Sequence, residues 1–153
     1  MSSDFRIVLQ SRAANVWEAQ GWIPDRLRVG IERLAFFTVQ EALSCIFPLL
    51  IFLTLAVTKV VSVPGVYRYD VILLVCLLIQ AGMYLSGLES RDELKVIGLF
   101  HLLGLALELF KVHQGSWSYP EEAWTKVGGV PLYSGFMYAS VASYLCQAWR
   151  RLD

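Results

Sequence analysis

Four stretches of the chain are apolar for long enough to cross a lipid bilayer as helices. A hydrocarbon core about 30 Å thick needs about 20 residues at a rise of about 1.5 Å each. The predicted spans cover about residues 34–58, 70–88, 95–112 and 130–149. Residues 71–79 are apolar around the whole helix, whereas a helix of a soluble bundle keeps one charged face. The pattern predicts an all-α fold, a polytopic transmembrane helical bundle in which residues 1–153 form a single membrane domain.

The segment before the first span mixes arginines with polar residues and does not follow the pattern of a cleavable signal peptide. Trp17 and Trp22 suit a short N-terminal interfacial helix that lies along the lipid headgroups. Pro24 fits the first turn of a helix that continues through Leu27 and Ile31 towards the first span. An ordinary polar lead-in with interfacial tryptophans is the alternative.

The distribution of lysine and arginine predicts how the spans are oriented. With a cytoplasmic N-terminus, nine of the 13 basic residues lie on the cytoplasmic side, some of them in or beside a charged turn at residues 89–93. The four on the other side are Lys59, Arg68, Lys111 and Lys126. We therefore expect a multi-pass protein with both termini in the cytoplasm and the connection 113–129 facing outward.

The composition excludes several classes of protein. The chain is 56% hydrophobic and 17% charged with a formal net charge of +0, so it lacks the basic excess that nucleic-acid binding needs. Cys45, Cys76 and Cys146 all lie in apolar runs, where cysteine packs as a small hydrophobe. The sequence contains no HExxH pair, Walker loop, GxSxG elbow or CxxC motif. We expect no nucleic-acid partner, no disulfide, no metal and no cofactor.

Two ionisable residues lie inside the third predicted span, where a charge at mid-bilayer costs about 2.5–3.5 kcal/mol on insertion scales. His101 and Glu108 share one face of the helix and are separated by two turns, about 10.5 Å along the axis. Gly104 lies between them on that face and leaves room for a neighbouring helix or a ligand. Lys111 continues the stripe towards the outer surface.

Polar partners for this face are expected on the neighbouring spans. Gln80 lies near the middle of the second span and is predicted to hydrogen-bond with His101. Glu41 and Gln40 enter the first span from the cytoplasmic side, with Ser44 about one turn further along. Bonds of this kind also hold helices in register without any further function, at about 0.6 kcal/mol each. That alternative stays open for all of these residues.

The connection after the third span is rich in aromatic residues. Trp117 and Tyr119 alternate there as in an extended strand. One interpretation is an aromatic belt at the outer interface of the membrane, where Trp and Tyr are enriched. The other is a rigid cap that places His113, Trp117 and Tyr119 above Glu108.

Three segments carry a resemblance to a known family: residues 68–80, residues 88–121, and GGVPLYSGFMYASV from Gly128. Together they resemble the YoaT-like family of bacterial integral membrane proteins, domain-of-unknown-function family 817, over roughly residues 36–150. Members of that family are longer and have further spans, so the chain resembles the first half of the family pattern. The resemblance implies a bacterial inner-membrane location and a shared motif, without an assigned activity.

A second similarity concerns layout. An embedded glutamate, a Gly-x-Trp-x-Tyr turn and a Gly-Val-Pro-Leu start of the next span are similar to membrane carotenoid hydratases and cyclases. That similarity implies a general acid at Glu108 that protonates a polyene after desolvation raises its pKa. Trp117 and Tyr119 would then stabilise a carbocation through their ring faces.

Three function classes follow from these residues. An enzyme acting on a lipid or polyprenoid ligand would use Glu108 and His101 as catalytic residues. Its binding residues would be Gln80, Lys111, His113, Trp117 and Tyr119. A transporter or channel half would have a polar path and would form a homo-oligomer, because four short spans enclose little room. Its path would include Glu41, Gln80, His101 and Glu108. A packing or scaffold protein in the lipid bilayer would use these residues only for stability.

Overall fold

The computed structural model describes residues 24–152, so the interfacial segment predicted around Trp17 and Trp22 lies outside the described residues. Within them the all-α prediction is confirmed. The five α-helices are Asp25–Ser44 (α1), Ile46–Val60 (α2), Arg68–Leu85 (α3), Arg91–His113 (α4) and Gly135–Leu152 (α5). The chain divides into two units, Met1–Gln40 and Glu41–Asp153. Everything from α2 onward belongs to the second unit.

The first predicted span is two helices rather than one. The α-helical pattern stops at Ser44 and resumes at Ile46, with a turn at Cys45. Pro48 explains this position, because its ring lacks an N–H and clashes with the carbonyl group four residues earlier, that of Ser44. After the break, Pro48 occupies the first turn of α2, where a missing N–H costs nothing. The region expected to form a span, 34–58, is therefore two helices with a break at Cys45.

A tight reversal joins α3 to α4. Gly87 adopts a φ of 73°, which ends α3 in the left-handed conformation that glycine allows without strain. The Ser90 side chain then accepts a hydrogen bond from the Glu93 amide, while the Glu93 side chain accepts one from the Ser90 amide. This reciprocal capping box fixes the first residue of α4.

The helix in the region of the fourth predicted span, 130–149, begins later than expected. Lys126–Val127 (β1) pairs antiparallel with Val130–Pro131 (β2) through a two-residue turn at Gly128 and Gly129, which have φ values of 56° and 82°. Two consecutive residues with positive φ are the signature of a type I′ hairpin turn. A 3₁₀ turn over Leu132–Ser134 follows, and α5 starts only at Gly135.

Helix α5 is the central element of the second unit, since it packs against both α4 and α2 while α2 packs against α3. Small residues permit the close approach of α4 and α5. A β-carbon added at Gly104 would lie 2.3 Å from Cδ2 of Tyr138, and one added at Gly135 would lie 2.5 Å from the His101 carbonyl oxygen. Gly135, Ala139 and Ser143 are buried at successive turns of α5, which is the small-xxx-small pattern of close helix pairs.

The helices of the second unit turn apolar side chains outward. Exposed examples are Leu49, Phe52 and Leu53 on α2, Leu74, Leu77 and Leu78 on α3, Leu102, Leu103 and Leu107 on α4, and Val141 and Leu145 on α5. By length and composition, α3 and α4 are each long and apolar enough to cross a membrane. The α1–α2 pair adds a third span if it counts as one broken span. Within the described residues α5 does not reach that standard, because Gln147, Arg150 and Arg151 lower its hydropathy.

Candidate functional site

The Glu108 carboxylate is the centre of a buried polar cluster near the end of α4. Glu108 is 5% exposed. Its oxygens accept hydrogen bonds from the hydroxyls of Tyr119 and Tyr138, both at 2.9 Å, and pair with the Lys111 ammonium one turn further along α4. All three contacts favour the ionised form of the carboxyl. The cluster therefore holds an anion beside a lysine whose side chain is 43% exposed.

The connection between α4 and α5 brings Tyr119 into this cluster. Asp70, in the first turn of α3, accepts hydrogen bonds from the Trp124 and Thr125 amides at 2.9 and 3.0 Å. The Lys126 ammonium donates to the Tyr119 carbonyl at 2.7 Å. Glu121 forms a two-point ion pair with Arg68, which keeps the pKa of the Glu121 carboxyl below its usual value. The connection is therefore fastened to α3 on one side and to α4 on the other.

Aromatic rings pack around the same connection. The Tyr119 ring makes edge contacts with Tyr69 and Tyr133, at centroid distances of 6.0 and 6.4 Å. Burial and the neighbouring Glu108 raise the pKa of the Tyr119 hydroxyl, so it remains a donor across the whole neutral range. The ring contacts fix the direction of that hydroxyl.

The cap predicted over Glu108 forms only in part. Tyr119 does reach Glu108, as described. Trp117 touches Tyr119 edge-on at 6.4 Å but remains 56% exposed, and His113 is exposed at the end of α4. Tyr138, on α5, takes the place that the sequence interpretation gave to Trp117 and His113.

His101 shares the inward face with Glu108, as predicted, but its environment is apolar. Its ring packs against Phe136 at a centroid distance of 4.6 Å and lies against the backbone of Gly135. Among the described residues its Nδ1 atom is buried without a hydrogen-bond partner. An unpaired buried nitrogen of this kind is typical of a position that contacts an ordered water.

The predicted hydrogen bond between Gln80 and His101 is wrong. The Gln80 amide nitrogen instead donates to the carboxylate of Glu89, which follows the glycine that ends α3. Glu89 is 2% exposed and also accepts a hydrogen bond from the Ser143 hydroxyl of α5. Burial raises the pKa of the Glu89 carboxyl, while the bonds from Ser143 and Gln80 oppose that rise. Glu89, which the sequence analysis placed in a charged turn, is thus a second buried carboxylate.

The capping box was the signal that could have located Glu89. Ser90 and Glu93 have the S-x-x-E spacing that marks a helix start, which places Glu89 one residue before the cap. A hydrophobic side chain at that position often packs inward against the first turn of the helix, and Glu89 occupies that buried position. The Glu89 amide also donates to the Met83 carbonyl at 3.1 Å, which folds the residue back under the end of α3.

A third carboxylate, that of Glu41, accepts a hydrogen bond from a hydroxyl of α5. The Tyr144 hydroxyl donates to Glu41 at 2.7 Å. Helix α5 therefore supplies one hydroxyl to each of three glutamates, which lie on α4, in the turn between α3 and α4, and on α1: Tyr138 to Glu108, Ser143 to Glu89 and Tyr144 to Glu41. Over residues 24–152, no group of three or more His, Cys, Asp or Glu side chains is arranged to hold a metal ion.

Comparison with known proteins gives one consistent match. A family model with the description "Protein of unknown function (DUF817)" matches residues 33–153. The uncharacterised protein YoaT of Bacillus subtilis (strain 168) is 66% identical over 122 residues, which are 80% of this chain and 46% of that protein. The chain thus spans about half the length of this curated relative. No solved structure matches the chain.

Proposed function

The chain belongs to the DUF817 family of proteins of unknown function, as its motifs predicted, and we propose that it conducts a small ion between its helices as a multi-pass protein of the bacterial inner membrane. The observation that supports this proposal is a set of three hydroxyl-to-carboxylate hydrogen bonds, which Tyr138, Ser143 and Tyr144 make on different sides of α5. Buried carboxylates in a membrane protein commonly mark ion pathways and proton relays.

The distribution of polarity supports the membrane part of the proposal. The buried side chains of the described residues include two glutamates, a glutamine and several serines and threonines, whereas leucines dominate the exposed positions of α3 and α4. An apolar outer surface of this kind over several helices is unfavourable in water and favourable in lipid. Polar groups placed inside an apolar shell are typical of a pathway through a bilayer.

The enzyme hypothesis has weaker support because of how Glu108 is bonded. A general acid must hold a proton that it can give to the substrate. Glu108 instead accepts hydrogen bonds from two tyrosines and is paired with Lys111, an arrangement that favours the carboxylate. We therefore propose that Glu108 acts as a fixed negative charge in the pathway rather than as the acid of a polyprenoid hydratase or cyclase.

A second copy of the chain is the partner that this function requires. The described helices fill the space around α5 with their own side chains, among them Phe47, Ile51 and Ile72, all 1% exposed or less. We propose a homo-oligomer in which neighbouring copies complete the pathway. Mass measurement of the protein in lipid nanodiscs reads the number of copies directly.

The proposed orientation, with both termini in the cytoplasm, predicts which side of the membrane the connection 113–129 faces. Ser118 is exposed there and accepts a cysteine once Cys45 and Cys146 are replaced by alanine. We expect Ser118→Cys to react with a membrane-impermeant maleimide added outside intact spheroplasts, because the connection faces outward. Arg91→Cys, exposed at the opposite end of α4, is the matched control and should react only after lysis. The reverse pattern would overturn the orientation.

Ion conduction is tested on reconstituted vesicles adsorbed to a solid-supported electrode, with rapid exchange of sodium, potassium, choline or pH. We expect transient currents above those of protein-free vesicles. Glu108→Gln should lower the peak current about tenfold or more, since a hydrogen bond or ion pair to a charged group is worth about 1.5 kcal/mol or more. Glu122→Gln changes an exposed carboxyl of the connection and should leave the current unchanged. Absence of current with every exchanged ion would refute the proposed function.

A further inference from the structure

We propose that the ion is a proton and that Glu89 is the side chain that binds it. This inference rests on the proposed function and assigns its substrate class. The proton joins the Glu89 carboxylate to form the neutral acid, and it leaves by way of the Ser143 hydroxyl, which is hydrogen-bonded to that carboxylate. The geometry around Glu89, compared with that around Glu108, is the basis of the inference.

The two buried carboxylates have chemically different neighbours. Glu108 is paired with Lys111, whose ammonium is a donor only and so favours the anion permanently. Glu89 contacts the Gln80 amide and the Ser143 hydroxyl, both neutral. A buried carboxyl with neutral partners exchanges its proton far more easily than one that faces a cation.

Both neighbours of Glu89 can also serve its protonated form. A serine hydroxyl donates or accepts according to its rotation, and a glutamine amide presents its nitrogen or its oxygen after a half-turn. The Gln80 amide oxygen is buried and has no hydrogen-bond partner among the described residues. After the amide turns, this oxygen can accept a hydrogen bond from the neutral acid. The site has a bonding pattern for each protonation state.

Several charged or titratable groups face this region from the neighbouring helices. On α5 the Arg150 guanidinium donates to the Leu88 carbonyl and pairs with Glu93 of α4 at 3.2 Å, so its charge is already matched. Arg151 is directed to the Gln147 amide oxygen at 3.2 Å. Where α3 ends and α4 begins, the Arg91 guanidinium donates a hydrogen bond to the Tyr84 hydroxyl. Helix α5 also carries the half-buried thiol of Cys146. Arg150 lowers and Glu93 raises the pKa of the Glu89 carboxyl through their charges, but within the described residues no cation forms an ion pair with it.

Infrared spectroscopy of the protein in lipid tests the assignment, because a protonated carboxyl has a C=O stretch that an ionised one lacks. At pH 6 exposed glutamates, with a pKa of about 4.3, are almost fully ionised. We expect a carboxylic-acid band that persists at pH 6, disappears as the pH rises further, and is absent from Glu89→Gln. The band should remain in Glu108→Gln and in Asp92→Asn, an exposed carboxyl three residues from Glu89. A wild-type protein without the band, or a band that survives Glu89→Gln, overturns the inference.

Ser143→Ala keeps the acid and provides a test if Glu89→Gln does not fold. Loss of a hydrogen bond that favours the carboxylate should move the midpoint of the band upward by about one pH unit. An unchanged or lowered midpoint overturns the inference. The electrode currents separate it from the proposed function. A titrating band without any current supports proton binding and refutes conduction, whereas currents that follow sodium or potassium but not pH support conduction and refute the proton.

Discussion

Gly104→Ala is expected to lower the free energy of unfolding by about 3 kcal/mol, at the upper end of the range for overpacked interfaces. A β-carbon at this position would lie 2.3, 2.4 and 2.6 Å from Cδ2, Cγ and Cβ of Tyr138. Rotation of the tyrosine cannot relieve the contact with its own Cβ, so α4 and α5 must separate. Separation also withdraws the Tyr138 hydroxyl from Glu108. Unfolding by SDS titration in mixed micelles, followed by tryptophan fluorescence, measures the loss.

Gly98→Ala is the matched control on the same helix. Nothing lies within 4 Å of a β-carbon added at Gly98. Alanine is favoured over glycine in a helix interior by about 1 kcal/mol, so this variant should be as stable as the parent or slightly more so. Equal stability of the two alanine variants would mean that α4 and α5 do not meet at Gly104.

Lys111→Met is expected to cost about 3 kcal/mol, because it leaves a buried carboxylate without its cation. Glu108→Leu should cost less, about 1–2 kcal/mol for the two tyrosine hydroxyls that lose their acceptor. The freed Lys111 side chain is already 43% exposed and can turn into water. The double variant should resemble Glu108→Leu alone, since the methionine then faces no charge. The same SDS titration measures all three.

Lys95→Met controls for loss of a lysine on α4, because Lys95 forms an ion pair with Asp92 in which both side chains are more than three-quarters exposed. Its cost should stay within about 0.5 kcal/mol. Lowering the pH should restore part of the stability that Lys111→Met loses, since protonation of Glu108 removes the unpaired charge. A Lys111→Met variant that is more stable than Glu108→Leu at neutral pH would contradict the ionised cluster described for Glu108.

Hydrophobic periodicity located the helices of the second unit because each apolar run is long and its connections carry glycine or proline. It missed the break at Cys45, since only the effect of Pro48 on the preceding turn shows where a long apolar run divides. Hydrophobic periodicity also placed the start of α5 too early. Gly128 and Gly129 form a hairpin turn with positive φ, and apolar residues of a short strand look like the start of a span.

The site was predictable where residues share one helix. Glu108 and Lys111 are three positions apart on α4, so their contact follows from helical geometry. The partners from α5 were not predictable, because which hydroxyl faces which glutamate depends on how deeply two helices pack. Gly104 and Gly135 decide that depth. Gln80 was matched to the wrong helix for the same reason, since Glu89 is nearer once α3 folds back at Gly87.

The contribution of α5 to both buried glutamates has a consequence for biosynthesis. During translation, α3 and α4 emerge before the helix that carries Tyr138 and Ser143. Until α5 inserts, Glu89 and Glu108 each lack a hydroxyl donor that they have in the folded unit. A nascent chain stalled before residue 138 should therefore stay associated with the insertion machinery, and release of these helices into lipid should coincide with arrival of α5.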